Sequence, residues 1–299
     1  MNKYLIIVLG PTGVGKTATS IKLAQEFNTD IVSCDSRQFF REMTIGTAVP
    51  SEEEMTEAKH HLIHSHSIHQ SYNVYEFEQD AINIIEELHQ QKDVVIMTGG
   101  SMLYIDAISK GIDKMPDANP TIRAELKILL TEKGLEPLLQ QLAQLDPVYY
   151  NQVDKNNPKR VLHGLEMCLT LGKSFSSMRT HPRKERNFQI IKIGLNMDRA
   201  DLYNRINRRV DMMVQQGLEQ EAVRLFPQAN LNALNTVGYK ELFSHFRGEC
   251  DLAKAIELIK RNTRHYAKKQ LTWFRKDECT QWFHPTDYNQ ILSYVESRI

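Results

Sequence analysis

The residues best equipped for chemistry are Gly10, Pro11, Thr12, Gly13, Val14, Gly15, Lys16 and Thr17, which have the spacing Gly-x-x-x-x-Gly-Lys-Thr. The glycines let the backbone curl until successive N–H groups point inward, and a helix starting behind them adds its positive end, so the loop makes an anion site. Lys16 brings a full positive charge to the outer phosphates, and the Thr17 hydroxyl can ligate Mg2+. The predicted task is to hold a diphosphate or triphosphate. A second candidate is Asp35, which follows the apolar Ile31-Val32-Ser33-Cys34 and precedes Ser36, Arg37 and Gln38. A carboxylate there can coordinate metal, accept a proton as a general base, or cap a following helix. A third apolar run ends in Thr98-Gly99-Gly100-Ser101, without the acid that nucleotide hydrolases place on such a strand to hold the magnesium water shell.

These groups need elements to position them. Residues 4–9 form a continuous apolar run, as expected of a strand buried on both faces of a parallel sheet. A helix is predicted over residues 18–27, short strands at 30–34 and 94–97, a helix with Phe77, Ala81, Ile84, Ile85 and Leu88 on one side, and a further strand at 190–195. Strands alternating with helices predict an α/β fold in which the carboxyl ends of the strands share one crevice, so Asp35 and Ser101 should face the glycine loop. Between residues 113 and 187, Pro116, Pro120, Pro137, Pro147 and Pro158 punctuate helical segments and no strand appears. The expectation is a phosphate-loop parallel-sheet core, residues 1–112 and 188–299, with an inserted all-helical lobe at 113–187 and a helical C-terminal region.

Composition narrows the class. The 299 residues are 41% hydrophobic and 25% charged, which excludes disordered, collagen-like and coiled-coil chains. Lys+Arg and Asp+Glu are both 37, but the charge is unevenly placed: residues 260–276 carry seven Lys/Arg and no acid. Four scattered cysteines without a Cys-x-x-Cys pair argue against a disulfide framework or structural zinc. The apolar run near the start is too short for a signal peptide or membrane span, so a cytosolic location is expected.

Lys260, Arg264, Lys268 and Arg275 lie within about 80° on a helix, interleaved with Tyr266, Trp273 and Phe274. Such a strip is either a solvated face or a binding surface for a phosphate backbone with unstacked bases. Lys159, Arg160, Lys173, Arg179, Arg183, Lys184 and Arg186 make the inserted lobe basic as well, and two basic surfaces favour nucleic acid. His60, His61, His64, His66 and His69 crowd one segment without zinc-like spacing, and are read as a polar loop near the crevice. Cys34 is read as a buried strand residue.

The glycine loop, Asp35-Ser36-x-Gln38 and Gly99-Gly100-Ser101-Met102-Leu103-Tyr104 resemble the tRNA dimethylallyltransferases of bacteria. So do Asn157-Pro158-Lys159-Arg160, Asp198-Arg199, Arg205-Ile206, Arg209-Val210, Val237-Gly238-Tyr239 and the run from Arg264 to Arg275. The similarity spans nearly the whole chain, with Gly13-Val14, Arg37 and Ser101 as minor departures. It implies transfer of a dimethylallyl group from dimethylallyl diphosphate to N6 of the adenine 3′ of the anticodon, in tRNAs reading codons that begin with U. Asp35 would then be the general base, while Lys16, Arg205 and Thr17 with Mg2+ would stabilise the departing diphosphate. Asp35, Ser36, Arg37 and Gln38 would hold the adenine. Ser101, Arg123, Lys159, Arg160, Lys268 and Arg275 would contact the tRNA, and the chain would act as a monomer.

Two other readings compete. A small-molecule kinase would use the same glycine loop with Arg179 and Arg183 as lid arginines, but leaves Asp35-Ser36-Arg37-Gln38 and the basic tail unexplained. A non-catalytic RNA-binding module is disfavoured by the intact Lys16, Thr17 and Asp35.

Overall fold

The apolar runs become strands because nearly every residue in them is covered on both faces. The computed structural model describes residues 2–115, 117, 119–180 and 184–299, so Pro116 and Arg183 lie outside the described residues. In chain order the elements are β1 (Tyr4–Leu9), α1 (Lys16–Glu26), β2 (Ile31–Ser33), α2 (Glu52–Glu57), β3 (His60–His61), α3 (Val74–His89), β4 (Val94–Gly99) and α4 (Met102–Lys110). The inserted segment holds α5 (Pro120–Lys133), α6 (Glu136–Leu145), α7 (Pro147–Gln152) and α8 (Pro158–Leu171). The chain then adds β5 (Gln189–Leu195), α9 (Arg199–Gln215), α10 (Leu218–Leu225), α11 (Tyr239–Phe246), α12 (Leu252–Phe274), β6 (Thr280–Phe283) and α13 (Tyr288–Glu296).

The six strands form one sheet in the order β3-β2-β4-β1-β5-β6, with every neighbouring pair parallel. Alternation along β1 divides the core: Leu5, Ile7 and Leu9 pack into one apolar layer and Tyr4, Ile6 and Val8 into the other. The two edge strands, β3 and β6, differ from the sequence reading. His60 and His61 were expected in a loop and residues after 198 in helix, whereas both segments add a strand. Edge strands need cover on one side only, so two histidines or Thr-Gln-Trp-Phe can serve without the continuous apolar run that marks β1 and β4.

The chain divides into two compact units, residues 1–109 with 185–299, and residues 110–184. The second unit has its own core of Leu126, Leu138, Leu142, Tyr149, Val161 and Leu165. Its prolines start helices: Pro120, Pro147 and Pro158 follow Asn119, Asp146 and Asn157, whose side chains accept hydrogen bonds from backbone amides of the first turn. Proline at a first helical position forfeits no internal hydrogen bond, and the capping oxygen satisfies the orphaned amides.

Candidate active site

β1 delivers the chain into the glycine loop and α1 takes it away. Gly15, at φ 110°, is the left-handed cap from which α1 begins, a conformation that a side chain would strain. A Cβ at Gly10 would lie 2.6 Å from the Leu195 carbonyl, so the loop sits tight against the end of β5. Lys16 crosses the loop and its ammonium donates to the carbonyls of Gly10 (3.1 Å) and Pro11 (3.0 Å). Burial lowers its pKa to about 8; Asp35 opposes that shift and Arg209 adds to it. Thr17 and Lys16 both line a cavity of about 1070 Å³, together with Asp35, Gln38, Arg205 and Arg209.

Asp35 follows β2 directly. Its Oδ1 accepts the Arg37 amide at 3.0 Å and so caps the tight turn that follows, although no helix starts there. No hydrogen bond to its Oδ2 is found among the described residues. Asp35 also lines a second cavity of about 360 Å³, with Thr12, Gly46, Ile206, Val210, Met213 and Tyr266 among its walls. Desolvation, then the charge of Asp35, pushes the Tyr266 phenol up to about 12.

The neighbours of Asp35 are bound inward. Ser101 is buried and its Oγ accepts the Ser36 amide at 2.7 Å, tying the end of β4 to the turn after β2. Arg37 donates to the carbonyls of Asn232 and Ala233. The Gln38 amide nitrogen donates to the carbonyls of Thr47 (3.3 Å) and Ala48 (2.9 Å), and its Oε1 accepts the Ser33 hydroxyl. The structure therefore brings Ser36, Arg37, Gln38 and Ser101 to the crevice as a braced set. Cys34 is fully buried with its thiol pKa pushed up by desolvation, as a strand residue should be.

α9 supplies two arginines one turn apart. Arg205 Nε donates to the Gly13 carbonyl at 2.9 Å, and Arg209 Nη1 donates to Thr12 Oγ1 at 3.3 Å. The sequence reading assigned only the first of these, although the i, i+4 spacing puts both on one face. It also assigned no role to Gln270, which is buried on α12. Its Oε1 accepts the Thr12 amide at 2.9 Å while its Nε2 donates to the Gly100 carbonyl at 2.8 Å. An uncharged polar residue within a run that holds Lys268, Lys269 and Arg275 is the signal the chain offers.

The basic strip on α12 divides. Lys260 pairs with Asp211 and Arg264 donates to Asn207, both partners lying on α9. Lys268 and Arg275 are exposed and border a cleft of about 400 Å³ shared with Arg199 and Tyr203. Trp273 donates its indole N–H to Asp106. In the unit of residues 110–184, Lys159 and Arg160 are exposed in the first turn of α8. Arg123 Nη2 donates to Glu166 Oε2 and its Nε lies 2.8 Å from Oε1, so a fully buried carboxylate is neutralised by a half-exposed guanidinium.

The histidines scatter. His61 Nε2 lies 2.7 Å from Asp30, His66 stacks on Tyr72 at 3.8 Å, and only His64 of the five lines the larger cavity. Among the described residues no group of three or more His, Cys, Asp or Glu is arranged to hold a metal ion, and no helix is long and apolar enough to cross a membrane.

Residues 38–277 match the IPP transferase family model. The chain is 49% identical to tRNA dimethylallyltransferase 2 of Parabacteroides distasonis, over 99% of each chain. It is 51% identical to the tRNA dimethylallyltransferase of Christiangramia forsetii, covering 100% of this chain and 99% of that one. Its structure is similar to that of the full-length tRNA isopentenylpyrophosphate transferase of Bacillus halodurans, with TM-score 0.72 and 34% identity over 99% of this chain and 96% of that one. The same fold is seen in a eukaryotic dimethylallyltransferase acting on tRNA, at TM-score 0.77 and 24% identity over 99% and 77% of the two chains.

Proposed function

The chain belongs to the IPP transferase family, and from that premise we propose that it transfers the dimethylallyl group of dimethylallyl diphosphate to a tRNA adenine. The acceptor is N6 of the adenine 3′-adjacent to the anticodon in tRNAs reading codons that begin with U, and the second product is diphosphate. One observation carries the reading: Lys16, Arg205 and Arg209 surround the glycine loop at the cavity into which Asp35 also opens.

The diphosphate sits on the loop amides of Gly13, Gly15, Lys16 and Thr17, with Lys16, Arg205 and Arg209 stabilising charge as the C1–oxygen bond breaks and its electron pair leaves with the diphosphate. The allyl tail rests on Met55 and Met212, which line the larger cavity, while the adjoining cavity beside Asp35 takes the acceptor base. The N6 lone pair forms the new bond to C1, and Asp35 takes the proton that N6 sheds. The target base must leave its stack to reach a closed pocket. Asp35 and Ser36 meet it, while Ser101 and Gln38 brace that turn. The Thr17 hydroxyl, a hard oxygen donor on the wall of the larger cavity, would hold Mg2+ together with diphosphate oxygens, and the ion would supply charge neutralisation to the leaving group. Lys268 and Arg275 take backbone phosphates, as do Lys159 and Arg160 in the lobe. Arg123 keeps donors beyond the two used by Glu166 and adds to that face. The enzyme acts as a cytosolic monomer.

Purified protein incubated with unmodified tRNA, Mg2+ and radiolabelled dimethylallyl diphosphate should place label in the tRNA while a parallel ATP sample stays intact. Steady ATP turnover without labelled tRNA would instead establish a kinase.

A further inference from the structure

One buried carboxylate holds two walls of the Asp35 cavity. Glu221, on α10, is 3% exposed and accepts four hydrogen bonds. Its Oε2 takes the amides of Thr44 (3.1 Å) and Ile45 (2.9 Å), and its Oε1 takes the amide of Gly46 (2.9 Å) and the Tyr239 hydroxyl (2.6 Å). Three successive N–H groups converging on one point form a small anion nest, filled here by the protein's own side chain.

Of these donors Gly46 lines the cavity itself, and the others lie close to its wall residues in the chain. Gly46, Thr47 and Ala48 form one wall, and Asn235, Thr236, Val237 and Gly238, immediately before Tyr239, form another. Residues 44–48 belong to neither helix nor strand, and no backbone carbonyl accepts the amides of residues 44–46 among the described residues. The far end of the segment is held by Gln38, which donates to the carbonyls of Thr47 and Ala48. The near end is held by Glu221. The Tyr239 ring packs so closely that a Cβ at Gly46 would lie 2.6 Å from it, which leaves little room for either wall to shift alone. Packing of α10 itself is met by Leu218, Ala222 and Leu225 in the core, so the buried charge is not required to seat that helix.

We propose that Glu221 is a positioning residue for the acceptor base: by gripping residues 44–46 and Tyr239 together, it sets the width of the cavity in which Asp35 meets the base. Among the described residues it makes no hydrogen bond to the glycine loop. The inference rests on the reaction assigned above.

Two measurements on the full-length protein test it. Amide exchange in the substrate-free protein reads the latch itself: E221Q should speed exchange at residues 44–46 at least tenfold while β1 and β4 remain protected. Steady-state labelling reads its consequence: E221Q should raise KM for tRNA about tenfold or lower kcat as much, with KM for dimethylallyl diphosphate unchanged within twofold. Y239F, which removes one donor and keeps the ring, should give a smaller loss of the same kind, and the double variant should be no worse than E221Q. Unchanged exchange, a parallel rise in both KM values, or a lowered Tm with normal kcat and KM would each overturn the proposal. If E221Q does not fold, the exchange and KM split of Y239F decide. If wild-type protein labels no tRNA, the assigned reaction is wrong and the positioning role falls with it, whereas faster exchange in E221Q would still establish the latch.

Discussion

At Asp35 the case for a proton acceptor is geometric: one carboxylate oxygen is spent on the Arg37 amide and the residue opens to both cavities. Asp35→Ala is expected to lower kcat by about 10²–10⁴-fold and to leave tRNA binding within a few-fold, as read by single-turnover labelling and filter binding. Loss of binding would move Asp35 from base to anchor. Lys16 allows a pH argument. With its pKa lowered to about 8, the free enzyme loses the ammonium above that pH. kcat/KM for dimethylallyl diphosphate should therefore fall about tenfold per pH unit above 8, and Lys16→Met should flatten that limb while lowering the plateau. The sign for stability is opposite. Between about 8 and 10.5 the unfolded chain binds more protons than the folded one, so the cost of the buried ammonium, full below 8, is relieved as pH rises through this window.

At the scale of elements, α12 shows why a charge pattern is not yet a surface. Four cations share one helical face, but α9 packs against part of it, and Asp211 and Asn207 claim Lys260 and Arg264. Neutralising Lys268 and Arg275 together should weaken tRNA binding and reduce the log–log salt slope by about 0.7–0.9 for each phosphate no longer neutralised. Lys260→Ala should leave that slope unchanged, since Asp211 already compensates its charge. Titrations at several salt concentrations separate the two cases; equal slopes throughout would return the strip to solvent. α9 itself was half legible. The i, i+4 spacing of Arg205 and Arg209 is plain in the chain, whereas their hydrogen bonds to Gly13 and Thr12 depend on a crossover of some 190 residues that no local pattern reports.

For the whole molecule, the division into residues 1–109 with 185–299 and residues 110–184 leads to the prediction that the second unit can be destabilised while the first keeps its fold. The Arg123–Glu166 pair lies within the second unit. Arg123→Ala leaves the fully buried Glu166 carboxylate with His163, 3.9 Å away, as its remaining partner, at a cost of about 3 kcal/mol, the lower end for a broken buried pair because the guanidinium is 45% exposed. Proteolysis should open residues 110–184 at a lower temperature in this variant. Binding of dimethylallyl diphosphate should remain, because the glycine loop belongs to the other unit. Simultaneous loss of both would show the units to be energetically one.

The strands β1 and β4, the glycine loop, Asp35 at a strand end and the proline-started helices of the insertion were readable from sequence. Each is governed by neighbours within a few residues: continuous apolar runs, glycine torsions, capping oxygens. The edge strands β3 and β6 were not, because a two- or four-residue edge takes its order from the strand beside it. Nor were the roles of Gln270, Arg209 and Glu221. A buried Gln bridging Thr12 to Gly100, or a buried Glu gathering three amides from residues 44–46, is chosen by groups that folding brings from far along the chain. Local sequence determined the glycine loop and the strand and helix that carry it; only tertiary packing decided which distant side chains hold the cavity walls, since an unpaired buried donor or acceptor is costly and must find its partner wherever the fold delivers one.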